Sequence, residues 1–172
     1  VKTSGQIGKI IGLGVEKVAL SAVVFERPEI IAESSEKFGS QSIVVVLDVK
    51  KSEENNGYQT YTHNGRKTTR RCPIEMAKEV ESLGAGEIVI NSIDHDGQMK
   101  GYDYHLIRKV REAVHIPFTC LGGAGSLKDI GQLIREYRII GAAAGSLFVF
   151  KGPYRAVLIN YPNQGEKDAL IQ

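Results

Sequence analysis

Five short runs rich in β-branched and apolar residues alternate with four amphipathic segments, and that alternation leaves very few folds open. The runs are VEKVALSAVVF (15–25), SIVVVLDVKK (42–51), GEIVINSID (86–94), IPFTCLGG (116–123) and GAAAGSLFVF (141–150). Between them lie PEIIAESSEKFG (28–39), IEMAKEVESLG (74–84), YHLIRKVREAV (104–114) and LKDIGQLIREY (127–137). Strands alternating with helical patterns predict βαβ units and a parallel sheet. The runs at Ile43–Leu47 and Ile88–Ile93 lack strict alternation, as expected of strands buried on both faces. A further helix is predicted over Thr3 to Leu13, and Gly39 and Gly84 mark helix ends. The segment YQTYTHNGRKTT alternates around Asn64-Gly65, which predicts a hairpin with a type I′ turn between the second strand and its helix.

Five βα units fit either an open flavodoxin-type sheet or part of a (β/α)8 barrel. An internal repeat favours the barrel. ALSAVVFERP begins at residue 19, and AGSLFVFKGP begins 125 residues later at residue 144; both read A-x-S-x-x-V-F-x-x-P. Spread over four units this is about 31 residues each, the size of one βαβ step. A pattern that returns at the fourth unit is what a barrel of two similar halves would carry. The expected fold is therefore α/β, a (β/α)8 TIM barrel present as about five βα units of its C-terminal part. The 172 residues are read as one partial barrel domain with its first strands missing.

Composition narrows the function. Net charge is +2, from 22 Lys and Arg against 20 Asp and Glu, with no basic face, so no nucleic-acid partner is expected. The one basic cluster, GRKTTRR (65–71), reads as a solvated loop. No apolar run is long enough for a membrane span, so no membrane partner is expected. Cys72 and Cys120 make neither a metal spacing nor a disulfide framework; Cys120, in an apolar run, reads as a small core residue. A reducing, cytoplasmic location fits.

Chemistry is expected where strands end. LGGAGSLKD (121–129) follows a strand and opens a helix, where backbone N–H groups and the helix dipole favour an anion. Ser126 could equally be an N-cap and the glycines a tight turn. AGSLF (144–148) ends the next strand, and two adjacent Gly/Ser-rich ends are the usual phosphate site of a (β/α)8 barrel. Asp48 ends IVVVLD, a position for a catalytic acid, a helix cap or a salt bridge with Lys50. NSIDHDGQMKGYD (91–103) holds Asp94, His95 and Asp96 without a full metal-loop pattern, and reads as an active-site loop in which His95 is an ordinary loop histidine.

FGSQSIVVVLDVK, GAGEIVINSIDHDG…GYD and LGGAGS together resemble the HisF family, the cyclase subunit of imidazole glycerol phosphate synthase, from about Val1 to Tyr161. The tail AGSLFVFKGPYRAVLINYP is more similar to a HisF-like branch linked to acetamidino groups on surface polysaccharides. The resemblance implies a (β/α)8 barrel and a bisphosphate ribotide substrate, phosphoribulosyl-formimino-aminoimidazole-carboxamide ribotide (PRFAR). Ammonia from a HisH-type glutaminase partner would convert it to imidazole glycerol phosphate and an aminoimidazole carboxamide ribotide. No cofactor and no metal are implied.

The same resemblance assigns residues. Asp48 matches one of two catalytic aspartates, an acid/base pair. Asp96, Gly97, Gly122, Gly123, Gly145 and Ser146 match one phosphate site, and Ser21 and Ala22 fall at the other. Asn64 and Asn91 line the cleft. Lys17 and Glu87 match an ammonia gate at the opposite end of the barrel; the plainer reading is a surface ion pair.

There are departures. The second catalytic aspartate belongs to a strand this chain does not contain. Ser21-Ala22 stands for the usual Asn with Thr or Ser, His95 for Arg, and Gln98 for Thr; Arg70 and Arg71 stand where Gly is common. EYRIIGAAAG is one or two residues short. The alternatives are the sugar-modification branch and a non-catalytic phosphate-binding remnant.

Overall fold

The computed structural model describes residues 1–53 and 57–171. Helix α1 (Ser4–Ile11) opens the chain, capped by the Thr3 side chain, which accepts the Gln6 N–H. Strand β1 (Val18–Leu20), short helix α2 (Val23–Glu26), helix α3 (Glu29–Phe38) and strand β2 (Ile43–Lys51) follow. Strands β3 (Tyr58–Thr62) and β4 (Lys67–Thr68) form the hairpin. Then come α4 (Pro73–Ser82), β5 (Glu87–Ser92), α5 (Tyr104–Arg111), β6 (Phe118–Leu121), α6 (Leu127–Tyr137) and β7 (Gly141–Ala142). Helix α7 (Ser146–Val149), strands β8 (Phe150–Lys151) and β9 (Ala156–Val157), and helix α8 (Gln164–Asp168) complete the described chain.

The parallel strands pair strictly in chain order, β1–β2–β5–β6–β7. A flavodoxin-type sheet reverses direction after its first strands. This sheet never reverses, so it winds as a barrel does, although it is not closed. The β3–β4 hairpin joins antiparallel to the last residues of β2, Asp48 to Lys51, on the edge whose first residues hold β1. Its turn carries φ of 57° at Asn64 and 75° at Gly65, with the Arg66 N–H donating to the His63 carbonyl, as a type I′ turn requires.

The core lies on one face. Ile30, Ile31, Met76, Val80, Leu106, Val110, Ile130 and Leu133 turn inward from α3 to α6. They join one buried cluster with Val45, Leu47, Val49, Ile88, Ile90, Phe118 and Cys120 of the sheet. The alternate residues Val46, Asp48, Val89, Asn91, Thr119 and Leu121 point to the other face and are only half-buried. Burial on both faces therefore holds at Ile43–Val45 but not beyond, because the sheet stays open on its inner side.

Two of the predicted strands are shorter than expected. VEKVALSAVVF and GAAAGSLFVF each contribute a brief strand and then turn helical, at Val23–Glu26 and Ser146–Val149. The repeat thus encodes one local shape twice: a strand end, a small-residue turn and a single helical turn. The copies diverge afterwards. Pro28 leads into α3, whereas Pro153 sits in the turn of the β8–β9 hairpin, whose Tyr154, Val157, Ile159 and Tyr161 are exposed.

Candidate functional site

Asp48 and Asn91 are cross-strand neighbours at the C-terminal ends of β2 and β5, both on the open inner face. The Asn91 side-chain amide donates from Nδ2 to Asp48 Oδ1 at 2.8 Å. An ionised Asp48 accepts only, so the amide must present nitrogen to it. That leaves Asn91 Oδ1, which is buried and has no hydrogen-bond partner. An unpaired buried acceptor costs about 1–3 kcal/mol. It lies against the β6 turn at Gly122 and is closed to solvent, so a ligand on this face meets Asp48 rather than Oδ1. Asp48 makes no ion pair with Lys50, whose ammonium reaches the Gly65 carbonyl at 3.4 Å and lies 5.2 Å from the Tyr61 ring centroid.

The β6 turn closes one side. Gly122, at φ 94°, lies so near Asn91 that a Cβ there would stand 3.2 Å from Asn91 Oδ1 and 2.5 Å from the Ser92 carbonyl. Gly123, at φ 110°, accepts the Gly101 N–H at 2.8 Å, and a Cβ would meet the Gly101 carbonyl at 2.1 Å. These glycines let the β5–α5 and β6–α6 loops lie backbone to backbone. Tyr102 ties the same loop to the end of β7 by donating to the Ala143 carbonyl at 3.0 Å.

Of the two readings of Ser126, the structure shows the N-cap. Ser126 Oγ accepts the Asp129 N–H, while Asp129 Oδ2 accepts the N–H groups of Gly125 and Ser126 at 2.9 Å each. The Asp129 carboxylate thereby holds the two N–H groups just ahead of α6, and Ser126 Oγ holds that of Asp129 itself. Gly97, at φ 72°, comes close to β7's end: a Cβ on it would be 3.9 Å from Ser146 Oγ. Gly145 stands in open space before Ser146, the first residue of α7. The side chain of Asp96 is exposed beside Gly97.

Other expected residues lie apart. Ser21 and Ala22 line a cavity of about 410 Å³ with Lys2 and His63, past the end of β1. Asn64 is exposed at the hairpin tip; the turn packs on Ile93 and Lys50 through Gly65. At the opposite end of the sheet, Lys17 Nζ meets Glu87 Oε2 at 2.7 Å, and Thr119 donates to Glu87 Oε1 at 2.7 Å. Burial pushes the Glu87 carboxyl up, but the hydrogen bonds from Lys17 and Thr119 and the Lys17 charge outweigh it and hold the group below its ordinary range. Glu87 also borders a cavity of about 350 Å³ with Phe118, Thr119, Ile140 and Gly141.

One network was not foreseen. Ser92 Oγ lies 2.9 Å from His95 Nδ1, and Asp103 Oδ2 lies 3.5 Å from the same nitrogen. A nucleophilic triad needs acid and hydroxyl on opposite ring nitrogens, so this is not one. Asp103 also caps α5 and accepts the Tyr58 hydroxyl at 2.9 Å; burial and that bond push the Tyr58 phenol up. The group fixes the loop that carries Asp96 and Gly97. The sequence signal was Asp103, an N-cap residue placed directly before an apolar helical pattern. Burial raises the Cys120 thiol, as expected of a core residue. Among the described residues no cluster of three or more His, Cys, Asp or Glu could hold a metal, and no helix is long and apolar enough to cross a membrane.

Parallel strands wound in chain order, with Gly- and Asp-bearing loops gathered at their C-terminal ends, define a barrel-type α/β protein whose site lies on the strand ends. The chain belongs to the histidine biosynthesis protein family, which matches residues 1–154. It is 51% identical over 172 residues to a Vibrio vulnificus protein provisionally named imidazole glycerol phosphate synthase subunit hisF3, covering all of this chain and 66% of the relative. A Leptospira borgpetersenii protein, provisionally named as the HisF subunit, is 49% identical over 99% of this chain and 67% of its own length. The imidazole glycerol phosphate synthase subunit HisF of Natranaerobius thermophilus is 38% identical over 94% and 63% respectively. The chain thus spans about two thirds of the length of the curated relatives it matches.

Proposed function

We propose that this chain carries one catalytic carboxylate and one phosphate site of an ammonia-dependent cyclase of the imidazole glycerol phosphate synthase type. The observation that carries the reading is the Asp48–Asn91 pair at adjacent strand ends, in which the Asn91 amide holds the half-buried Asp48 carboxylate on the open inner face. Asp48 is the acid/base group for proton transfers during ammonia addition and ring closure of PRFAR. Asn91 orients that carboxylate. Gly97, Gly122, Gly123, Gly145 and Ser146 hold one phosphate, with Asp96 on the loop at its edge; the cavity at Ser21 and Ala22, lined also by Lys2 and Glu26, takes the other end. Lys17 and Glu87 stand at the entry for ammonia from a HisH-type glutaminase, in the cytoplasm. The test is ammonia-dependent turnover of PRFAR by the gene product that carries this chain. Asp48→Asn, isosteric at the Asn91 contact, is expected to leave the fold intact and lower kcat at least a hundredfold, as loss of a general acid/base does. Unchanged turnover would remove Asp48 from this role.

A second reading keeps the site and changes the end use to sugar modification. It is favoured by the tail segment, because the β8–β9 hairpin does not lie idle: its Arg155 side chain donates to the Gly97 carbonyl. Ammonia-dependent activity on another substrate, with no imidazole glycerol phosphate formed from PRFAR, would favour this reading.

A further inference from the structure

We propose that Arg155 is a phosphate-binding residue, delivered to the Gly97–Ser146 subsite by the β8–β9 hairpin. The proposal rests on the phosphate site described above and adds a ligand to it.

Three observations converge. The Arg155 guanidinium donates to the Gly97 carbonyl, across 58 residues of sequence. Gly97 also lies beside Ser146, whose Oγ would be 3.9 Å from a Cβ on Gly97. The guanidinium is held from behind as well, 5.4 Å from the Phe150 ring centroid, a cation–π distance. The backbone supports this placement: Arg155 takes φ 50° in a turn closed by its own N–H to the Gly152 carbonyl at 3.1 Å. A non-glycine residue in that region pays a conformational cost, which the two side-chain contacts offset.

Charge explains why a cation is wanted. Asp96, next to Gly97, is exposed, while Asp94 turns to the end of β2 and accepts the Lys51 N–H at 2.7 Å. A phosphate dianion brought to Gly97 and Ser146 has the Asp96 carboxylate as a neighbour, and neutral backbone donors alone do not cancel it. A guanidinium presents a rigid fork of donors that suits phosphate oxygens two at a time. In the free protein the Gly97 carbonyl occupies one arm of that fork. With phosphate bound, Arg155 exchanges the neutral carbonyl for the anion over a short swing, keeping its stack on Phe150.

The experiment is calorimetric titration of the whole chain with inorganic phosphate, for the wild type, Arg155→Ala, Arg155→Lys and Lys78→Ala. Lys78 is exposed on α4, on the helical side of the sheet, and its replacement removes the same charge elsewhere. Arg155→Ala is expected to weaken phosphate binding about tenfold or more, the scale of one charge-assisted hydrogen bond. Arg155→Lys should recover part of the loss, and Lys78→Ala should bind as the wild type does. Equal affinity of the wild type and Arg155→Ala would overturn the role of Arg155 and leave the phosphate site standing. A wild type that binds no phosphate would overturn both. Circular dichroism confirms that the variants are folded.

Discussion

Replacing Gly123 by alanine tests whether the two site loops really lie backbone to backbone. The φ of 110° is outside the left-handed region that other residues enter, so the strain costs about 1–3 kcal/mol. The new Cβ would also stand 2.1 Å from the Gly101 carbonyl and 3.1 Å from His95 Cβ. The Gly101 carbonyl cannot yield without the loops separating, and that breaks the Gly101 N–H bond to the Gly123 carbonyl, worth about 1 kcal/mol. Together these predict a loss of about 2–4 kcal/mol. Gly145→Ala is the internal control: its φ is −104° and nothing lies within 4 Å of the added atom, so the change should stay within about 0.5 kcal/mol. Urea unfolding followed by circular dichroism measures both. If Gly123→Ala and Gly145→Ala unfold at the same midpoint as the wild type, the loop packing described here is wrong.

Two further expectations follow from the caps and the ion pair. Ser126→Ala removes an N-cap and should cost about 1 kcal/mol by urea unfolding while leaving phosphate affinity unchanged, because the hydroxyl serves only the Asp129 N–H and the Gly125 and Ser126 N–H groups stay on the Asp129 carboxylate; a large loss of phosphate binding would show that the α6 terminus is part of the site. The Glu87 carboxyl is held lower in the folded protein than in the unfolded chain, so its stabilisation is present above the unfolded pKa and disappears as pH falls through the lower folded value. Lys17 is 54% exposed, so the advantage over Glu87→Gln should be only about 1 kcal/mol at neutral pH and should vanish in acid; a gap between the two that is constant with pH would contradict the assignment.

Much of this architecture is written locally. The alternation of apolar runs and amphipathic segments is set by side-chain periodicity, so α3 to α6 and the cores of β2, β5 and β6 stand where the pattern puts them. Asn64-Gly65 likewise encodes its own turn through positive φ. Strand ends were less legible. Val23–Phe25 and Leu147–Val149 are β-branched or apolar, yet each lies in a helical turn, because a small-residue step redirects the chain before the side chains can pair in a sheet. The site divides in the same way. Asp48 and the glycines stand out in the sequence because each falls at a strand end, whereas Asn91 is singled out by the family resemblance. The Ser92–His95–Asp103–Tyr58 network and the reach of Arg155 to Gly97 depend on which loops tertiary packing brings together, and no spacing in the sequence records that.

The central claim is that Asp48 and the loops around it belong to an ammonia-dependent cyclase site. The most direct measurement is PRFAR consumption by the gene product that carries this chain, with ammonium salt and no glutaminase, followed by product identification. Ammonia-dependent formation of imidazole glycerol phosphate, lost in Asp48→Asn, is the predicted result. A folded protein that binds phosphate but leaves PRFAR unchanged at every ammonium concentration would contradict it.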